Sequence, residues 1–296
     1  MRLLVAEKCP PLRLRILFQA QETTRLGEGV SRTGQIGKEA AERTLALLLR
    51  YREIIQGFRP DALEVVGTET LRAATNAEQF LRLVEESAGW RIRILSPAEE
   101  AYFALIGLRY GSPDLPEKLI LLDLGGASTE LARSAGFKMK ELISLPLGAV
   151  GIYEEFVHTD PPAPSDLEGM LLSLGRRLEE PLRPLQPWQD HLLVGTAGTI
   201  TTLGAIHLGL KEYDGEQVSR VSLAQHQIRQ IFDHLCRLPL SRRAQVPGLE
   251  AKRADIILSG TAILLVILKL LRRDRLRVCD GGLREGILLH LMGKGD

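Results

Sequence analysis

The stretch "LLDLGGASTEL" (residues 121–131) places two carboxylates on either side of a loop with almost no side chains. Asp123 ends an apolar run typical of a buried strand, and Glu130 follows the loop. The loop consists of small residues: Gly125, Gly126, Ala127, Ser128 and Thr129. Small residues let the backbone approach a ligand, and successive exposed N–H groups form an anion-binding concavity, to which the two hydroxyls add donors.

A carboxylate beside a phosphate loop repels the phosphate unless a cation lies between them. Mg²⁺ fills that role in proteins, held by one or two carboxylates and by phosphate oxygens. Asp123 lies at the carboxyl end of its strand, where open α/β sheets bind ligands. The pattern therefore predicts a site for phosphate and metal, with Asp123 and Glu130 as the acidic residues. The alternative is a tight β-turn that carries polar side chains and binds no ligand.

A second stretch, "VGTAGTITTLGAI" (194–206), repeats this design of strand, small-residue loop and helix start. Its loop residues are Gly195, Thr196, Ala197, Gly198 and Thr199. The free N–H groups and the dipole of a helix N-terminus attract anions. Two such loops indicate a ligand with several phosphates, bound in a cleft between domains. Two unrelated turns remain the alternative.

The adjacent glutamates in "SPAEEA" (96–101) differ in their expected roles. Ser96 and Glu99 have the spacing of a capping box, with proline at the first helical position. Glu100 is left free to face a cleft, where a carboxylate could orient or deprotonate a water molecule. A solvated surface glutamate is the alternative for Glu100.

Composition fits an ordinary globular protein of 296 residues, with 45% hydrophobic and 25% charged residues. The formal net charge of +1 gives no reason to expect a nucleic-acid partner. The three dispersed cysteines fit a reducing compartment, and the six histidines show no metal-binding spacing. The apolar stretch 254–271 is interrupted by charges, which predicts a buried helix rather than a membrane span.

Helical and strand patterns alternate along the chain, which predicts two α/β domains. The Pro-rich stretch 111–118 is the linker candidate. We predict strands at 62–67, 90–95, 119–123 and 275–279. We predict helices at 37–58, 96–111, 165–180, 223–238, 251–272 and 282–293, and one starting at Asn76 with Gln79 as its capping partner.

A series of motifs along the whole chain resembles the exopolyphosphatase and guanosine pentaphosphate phosphohydrolase (Ppx/GppA) family. The matching stretches, in family order, are "TRLGEGV", "GTETLRAATNAEQF", "SPAEEA", "LLDLGGASTEL", "SLPLGAVGIYEEF", "VGTAGTITTL", "PGLEAKRADIILSGTAIL" and "CDGGLREGILL". Each is weak alone, but their order makes the series specific.

The resemblance implies two ribonuclease H-like domains of the actin-like ATPase superfamily around a central cleft. We expect one domain over 1–116, joined by a last helix at 284–296, and a second over 117–283. The implied activity is Mg²⁺-dependent hydrolysis of terminal phosphoanhydride bonds of polyphosphate or guanosine pentaphosphate. Mn²⁺ is the alternative to Mg²⁺, and a monovalent cation is a possible additional cofactor. A non-catalytic sensor of guanosine tetraphosphate or polyphosphate is the alternative. We also expect a cytoplasmic homodimer with a role in the stringent response and with no nucleic-acid or membrane partner.

Site residues are carried over from the family by motif. Glu100 matches the glutamate proposed to activate water, and Arg72 matches a phosphate-contacting arginine. Arg25 is a weaker phosphate candidate, for which a surface arginine is an equal alternative. The acidic residues of the second phosphate loop match Asp123 and Glu130. The backbone cradles match Gly125, Gly126, Ser128 and Thr129, and Gly195, Thr196, Gly198 and Thr199 in the third loop.

Three departures from the family pattern qualify these expectations. Ala127 replaces a usual glycine, which is tolerable if its φ stays negative. Gly151 stands where a positive residue is common. Family members also begin with a strand ending in Asp-x-Gly-Ser/Thr-Asn-Ser/Thr, and here Met1 stands where that loop would end. We therefore expect about ten or more further residues in the natural product, and a chain as given that is poorly active and either unstable or dependent on a neighbouring chain.

Overall fold

The computed structural model describes residues 1–9 and 13–293. Contacts between Cα atoms divide the chain into an N-terminal unit, Met1–Gly107 with Leu283–Asp296, and a C-terminal unit, Leu108–Gly282. The division falls inside a helix, ahead of the polar stretch 111–118. The last helix belongs to the N-terminal unit.

Strands and helices alternate along much of the described chain, as predicted, but consecutive strands at the start of the chain and after the stretch 111–118 were not predicted. The strands are β1 (Arg2–Cys9), β2 (Arg13–Gln21), β3 (Val65–Gly67), β4 (Ile92–Ile94), β5 (Lys118–Leu124), β6 (Thr129–Ala135), β7 (Lys138–Leu145), β8 (Leu192–Thr196), β9 (Ser222–Ala224) and β10 (Arg275–Val278). The helices are α1 (Val30–Thr33), α2 (Lys38–Phe58), α3 (Glu69–Ala73), α4 (Ala77–Ala88), α5 (Pro97–Gly111), α6 (Ala149–Phe156), α7 (Pro164–Leu182), α8 (Ala197–Leu208), α9 (Gly215–Val218), α10 (Gln225–Cys236), α11 (Leu240–Arg243), α12 (Ile257–Leu270) and α13 (Leu283–Gly293). Short 3₁₀ turns cover Arg183–Leu185 and Ala251–Arg253.

The N-terminal unit contains two small sheets over its described residues. β1 pairs antiparallel with β2, and β3 pairs in parallel with β4. Alternate residues of β1, Leu3 and Val5, are buried against α2, as expected for a strand with one face on a helix. A second cluster joins α2, α3 and α4 to β4. Both sheets therefore contribute to cores built on α2.

The C-terminal unit is built on one mixed sheet with the order β7-β6-β5-β8-β10-β9. β5, β8 and β10 run parallel, whereas β6, β7 and β9 pair antiparallel with their neighbours. The first five positions give the order of a ribonuclease H-like sheet, the arrangement that the family resemblance implies. The carboxyl ends of the three parallel strands meet at one edge of this sheet, where ligands bind in open α/β folds.

The apolar stretch 254–271 forms a buried helix, as predicted. α12 is buried from Ile257 to Leu268, and it packs against α6, α7, α8 and α10. Among the residues that the structure describes, no helix combines the length and the apolar character needed to cross a bilayer.

Two predicted helix starts have different outcomes. At α5, the Ser96 N–H donates to Glu99 Oε2 (2.9 Å) and the Glu99 N–H donates to Ser96 Oγ (3.2 Å), so the capping box is confirmed. At α4, Asn76 precedes the helix but makes no side-chain cap. Its side chain instead accepts from Ile36 N and donates to Ile36 O. The predicted capping role of Asn76 and Gln79 is wrong because Asn76 fixes a distant segment.

The capping box should make stability depend on pH. Hydrogen bonds from the backbone and hydroxyl of Ser96 lower the pKa of Glu99 below its ordinary value of 4.5. Since the folded pKa is lowered, this contribution is complete well above pH 4.5 and is lost as the pH falls through the folded pKa.

We expect Glu99→Gln to lower the free energy of unfolding by about 0.3–1 kcal/mol at pH 7, with the deficit vanishing in acid. Urea unfolding at several pH values measures this. Glu86→Gln, on exposed α4 surface, is the control, and a deficit that persists unchanged in acid would contradict the prediction.

Candidate active site

Asp123 and Glu130 lie directly opposite each other on adjacent strands. They are Cα partners in the antiparallel ladder of β5 and β6, so their side chains project from the same face of the sheet. Both are buried, with 8% and 1% exposure. Ser144 on β7 donates to Glu130 Oε1 (3.2 Å). Two carboxylates thus share one shielded position at the end of β5.

The first small-residue loop is the connection of a β-hairpin. It covers residues 125–128, because Thr129 and Glu130 already belong to β6. The Gly125 N–H donates to Ser128 O (3.0 Å), while the carbonyls of Gly125 and Gly126 accept from Ala149 and Val150. The loop therefore caps the N-terminus of α6 with its carbonyls. Ala127 is not among the residues with positive φ, so its side chain causes no backbone strain.

The threonine hydroxyls of both loops point into the protein. Thr129 is fully buried, and its Oγ1 donates to Leu147 O (2.6 Å). Thr196 Oγ1 donates to Gly281 O (3.0 Å). Thr199 packs tightly on Gly260, because a Cβ added to Gly260 would overlap the Thr199 hydroxyl. Backbone N–H groups, rather than these hydroxyl protons, are the donors that the loops can offer to an anion.

The second loop lies beside the first at the same sheet edge. β8 runs parallel to β5 with Thr196 opposite Asp123, so Asp123 lies between Glu130 and the start of α8. Gly195 is buried, one residue before the end of β8, and Ala197 opens α8 with a φ of 69°. This left-handed residue, followed by helical Gly198, turns successive N–H groups toward one side, as in an anion-binding nest.

Arg253 is a further candidate site residue, which the motif analysis did not single out. Its guanidinium packs on Gly198, where a Cβ would overlap Nη1. Nε donates to Glu250 Oε2 (3.0 Å), and the side chain is mostly buried. The sequence signal is faint, because Arg253 is one of several basic residues ahead of α12. The structure thus places a positive charge at the N-terminus of α8.

The N-terminal unit holds a separate group of charged residues. Arg72 Nη1 donates to Glu100 Oε2 (3.0 Å) and to Leu95 O (2.6 Å). Its Nε and Nη2 donate to Glu69 Oε2 at 3.1 and 2.8 Å. Burial lowers the pKa of Arg72, but the hydrogen bonds that it donates to Glu69 and Glu100 outweigh this effect and raise the pKa overall. Arg72 therefore stays charged, and Glu100 is no solvated surface residue, with 8% exposure.

Arg25 is exposed, on the segment between β2 and α1, with a φ of 53°. Gly27, two residues further on, packs against the side chain of Thr70 in α3. The segment with Arg25 thus runs beside the helix that carries Arg72. Its role toward phosphate stays a prediction.

In the described part of the chain, no three histidine, cysteine or acidic side chains are grouped to hold a metal ion by themselves. His191, for example, is buried next to Asp190 and Trp188, at the start of β8. Asp123 and Glu130 provide two oxygen ligand groups, which suits a metal completed by substrate oxygens.

The comparisons with known proteins agree with this fold. The family model described as "Ppx/GppA phosphatase family" matches residues 4–295, and the chain belongs to this family. It is 30% identical, over 279 residues, to a guanosine-5'-triphosphate,3'-diphosphate pyrophosphatase of Vibrio vulnificus. That alignment covers 94% of the chain and 54% of the relative, so the chain spans about half the length of this curated relative.

Solved structures of the family have the same fold. The Aquifex aeolicus Ppx/GppA family member aligns with a TM-score of 0.80 at 32% identity, covering 100% of this chain and 94% of its own. An exopolyphosphatase from Cytophaga hutchinsonii aligns with a TM-score of 0.88 at 21% identity, covering 99% and 94%. At that identity the second likeness shows the fold alone.

A glycine at the start of α6 should be essential for the first loop. A Cβ on Gly148 would lie 2.5 Å from Ala127 N and from the backbone of Gly126, and backbone atoms cannot rotate away. We expect Gly148→Ala to lower the free energy of unfolding by about 1–3 kcal/mol. Chemical denaturation measures this.

Gly151 gives a matched control on the same helix, because a Cβ there would meet nothing within 4 Å. Gly151→Ala should be neutral or stabilising, by up to about 1 kcal/mol. Equal effects of the two alanines would show that the loop can move away from α6.

Proposed function

We propose that the chain hydrolyses terminal phosphoanhydride bonds of inorganic polyphosphate or guanosine pentaphosphate and releases phosphate in a Mg²⁺-dependent reaction. The observation that carries this proposal is the buried Asp123–Glu130 pair between two backbone-amide loops at one sheet edge. A carboxylate pair beside anion-binding amides suits a ligand that brings phosphate and a divalent cation together.

Asp123 and Glu130 would hold the metal. Both are oxygen ligands on one face of the sheet, and Ser144 orients Glu130. When bound, Mg²⁺ supplies charge neutralisation and a Lewis acid for phosphate oxygens. The loop amides and Arg253 would orient the phosphates and offset the negative charge that develops during transfer.

Glu100 would receive a proton from the attacking water. Its Oε2 is held by Arg72, and its helix starts at a fixed capping box, so the carboxylate direction is constrained. A fixed carboxylate within hydrogen-bond reach of water can act as a general base. Arg72 donates from Nη1 to Leu95 O and Glu100, and from Nε and Nη2 to Glu69. Its second Nη2 hydrogen could be donated to a phosphate oxygen.

The name of the Vibrio vulnificus relative supports guanosine pentaphosphate as a substrate. Polyphosphate as a substrate rests on membership of the Ppx/GppA family. The free cysteines Cys9, Cys236 and Cys279 support a reducing, cytoplasmic setting. The homodimer and the role in the stringent response rest on the family resemblance.

Phosphate release from each substrate tests the proposed activity. We expect Mg²⁺-dependent release from polyphosphate or guanosine pentaphosphate, and none after chelation of the metal. The sensor alternative predicts tight binding of guanosine tetraphosphate or polyphosphate with no release under any condition. That result would overturn the proposed hydrolysis.

Glu100→Gln tests the role of the base. The change removes the proton acceptor and the charge paired with Arg72, but leaves an amide oxygen that can still accept from Nη1. Turnover should therefore fall about 10²–10⁴-fold, with substrate binding close to intact. Glu99→Gln is the control, because Glu99 serves the capping box. Normal hydrolysis by Glu100→Gln together with loss in Glu99→Gln would show that the roles of the pair are reversed.

A further inference from the structure

Glu69 makes a contact that neither the motifs nor the proposed chemistry uses. It is the first residue of α3, three positions before Arg72. Its Oε2 accepts from both Nε and Nη2 of that arginine, at 3.1 and 2.8 Å. The two side chains are only 18% and 17% exposed, so water screens the pair less than it screens a surface ion pair.

The opposite side of the same guanidinium faces the candidate base. Nη1 donates to Leu95 O (2.6 Å) and to Glu100 Oε2 (3.0 Å). A guanidinium is a rigid plane with five N–H donors. Because the plane is rigid, fixing Nε and Nη2 on Glu69 also fixes the direction of Nη1.

These contacts connect two parts of the chain. Glu69 and Arg72 lie on α3, which follows β3, whereas Leu95 and Glu100 follow β4. An acidic residue in the first turn of a helix is favoured by the helix dipole alone, and this explanation would suffice for an exposed Glu69. The helix dipole does not explain why the Glu69 carboxylate is largely buried, or why one of its oxygens accepts from two donors of Arg72.

We infer that Glu69 is a positioning residue for the base: it holds Arg72 so that Nη1 keeps the Glu100 carboxylate in the orientation that receives a proton. This inference rests on the proposed function. Glu69 itself need not touch the substrate, and its effect passes through Arg72 to Glu100.

Measuring kcat and KM of the full chain distinguishes this role from the alternatives. The assay contains Mg²⁺ and whichever of the two proposed substrates the wild type hydrolyses faster. A small displacement of a reacting group can cost about 100-fold in rate, so Glu69→Ala should lower kcat about 10- to 100-fold and leave KM within about twofold. Glu69→Gln keeps an oxygen acceptor for Arg72 and should recover part of the rate. Glu85→Gln, which removes the partner of Arg91 on exposed surface of the same unit, should match the wild type.

Two kinetic results would overturn the inference. If KM falls while kcat is unchanged, Glu69 merely competes with the substrate for Arg72. If neither constant changes in Glu69→Ala, the contact has no role in the reaction.

A second measurement requires no turnover, so it tests the inference independently of the proposed function. In ¹⁵N NMR of the arginine side chains, assigned with Arg72→Lys, a fixed guanidinium gives separate Nη1 and Nη2 signals. We expect separate signals in the wild type and a merged signal in Glu69→Ala. Merged signals in the wild type, or separate signals in Glu69→Ala, would overturn the inference even if the chain hydrolyses phosphate. If the chain releases no phosphate but the NMR result is as expected, the proposed function fails, and with it the role toward the base, while the fixing of Arg72 by Glu69 stands.

Discussion

The candidate site depends on one electrostatic constraint: two carboxylates are buried side by side at the end of β5. Asp123 and Glu130 are cross-strand partners with at most 8% exposure. The Cβ atoms of such partners lie about 4.5–5.5 Å apart, so negative charges on both side chains would repel, and burial removes the water that would screen them. A cation between the carboxylates and a phosphate would relieve this repulsion. In the proposed reaction, the pair therefore makes phosphate and metal binding depend on each other.

The surrounding fold keeps that pair and the loops in place. The parallel pairing of β5 and β8 puts Thr196 opposite Asp123, which brings the start of α8 next to the pair. The carbonyls of the first loop accept from the first amides of α6, and close contact at Gly148 leaves no room for adjustment. In the N-terminal unit, Arg72 lies between two carboxylates and ties Glu100 to the segment after β3. Backbone pairing sets the positions in the C-terminal unit, whereas the Arg72 side chain, held at both ends, does so in the N-terminal unit.

The sequence predicted the parts of the structure that rest on local chemistry. The capping box at Ser96 and Glu99 and the buried helix α12 follow from spacing and hydropathy, and both were found. The sequence misplaced the end of the first loop, because β6 is buried on both faces over its first four residues and shows no alternation there. Its cross-strand register, which brings Asp123 and Glu130 together, is a property of the hairpin and cannot be seen in spacing alone.

Contacts between distant segments could not be predicted in this way. Asn76 binds Ile36, forty positions away in sequence, instead of capping α4. Arg253 reaches Gly198 only because the segment before α12 passes the N-terminus of α8. Glu69 resembles any acidic residue in a first helical turn until Arg72 is seen to join it to Glu100. Such roles require the three-dimensional arrangement.

The most direct test of the account is calorimetric titration of Mg²⁺ into the chain, with and without tripolyphosphate, for the wild type and for Asp123→Asn. If the carboxylate pair and the loops bind metal and phosphate together, the wild type with tripolyphosphate should bind Mg²⁺ more tightly than the wild type alone. It should also bind Mg²⁺ more tightly than tripolyphosphate does without the protein. Asp123→Asn should lose this enhancement, because it removes one of the two charges that hold the cation. An unchanged enhancement in Asp123→Asn would contradict the account and place the metal elsewhere.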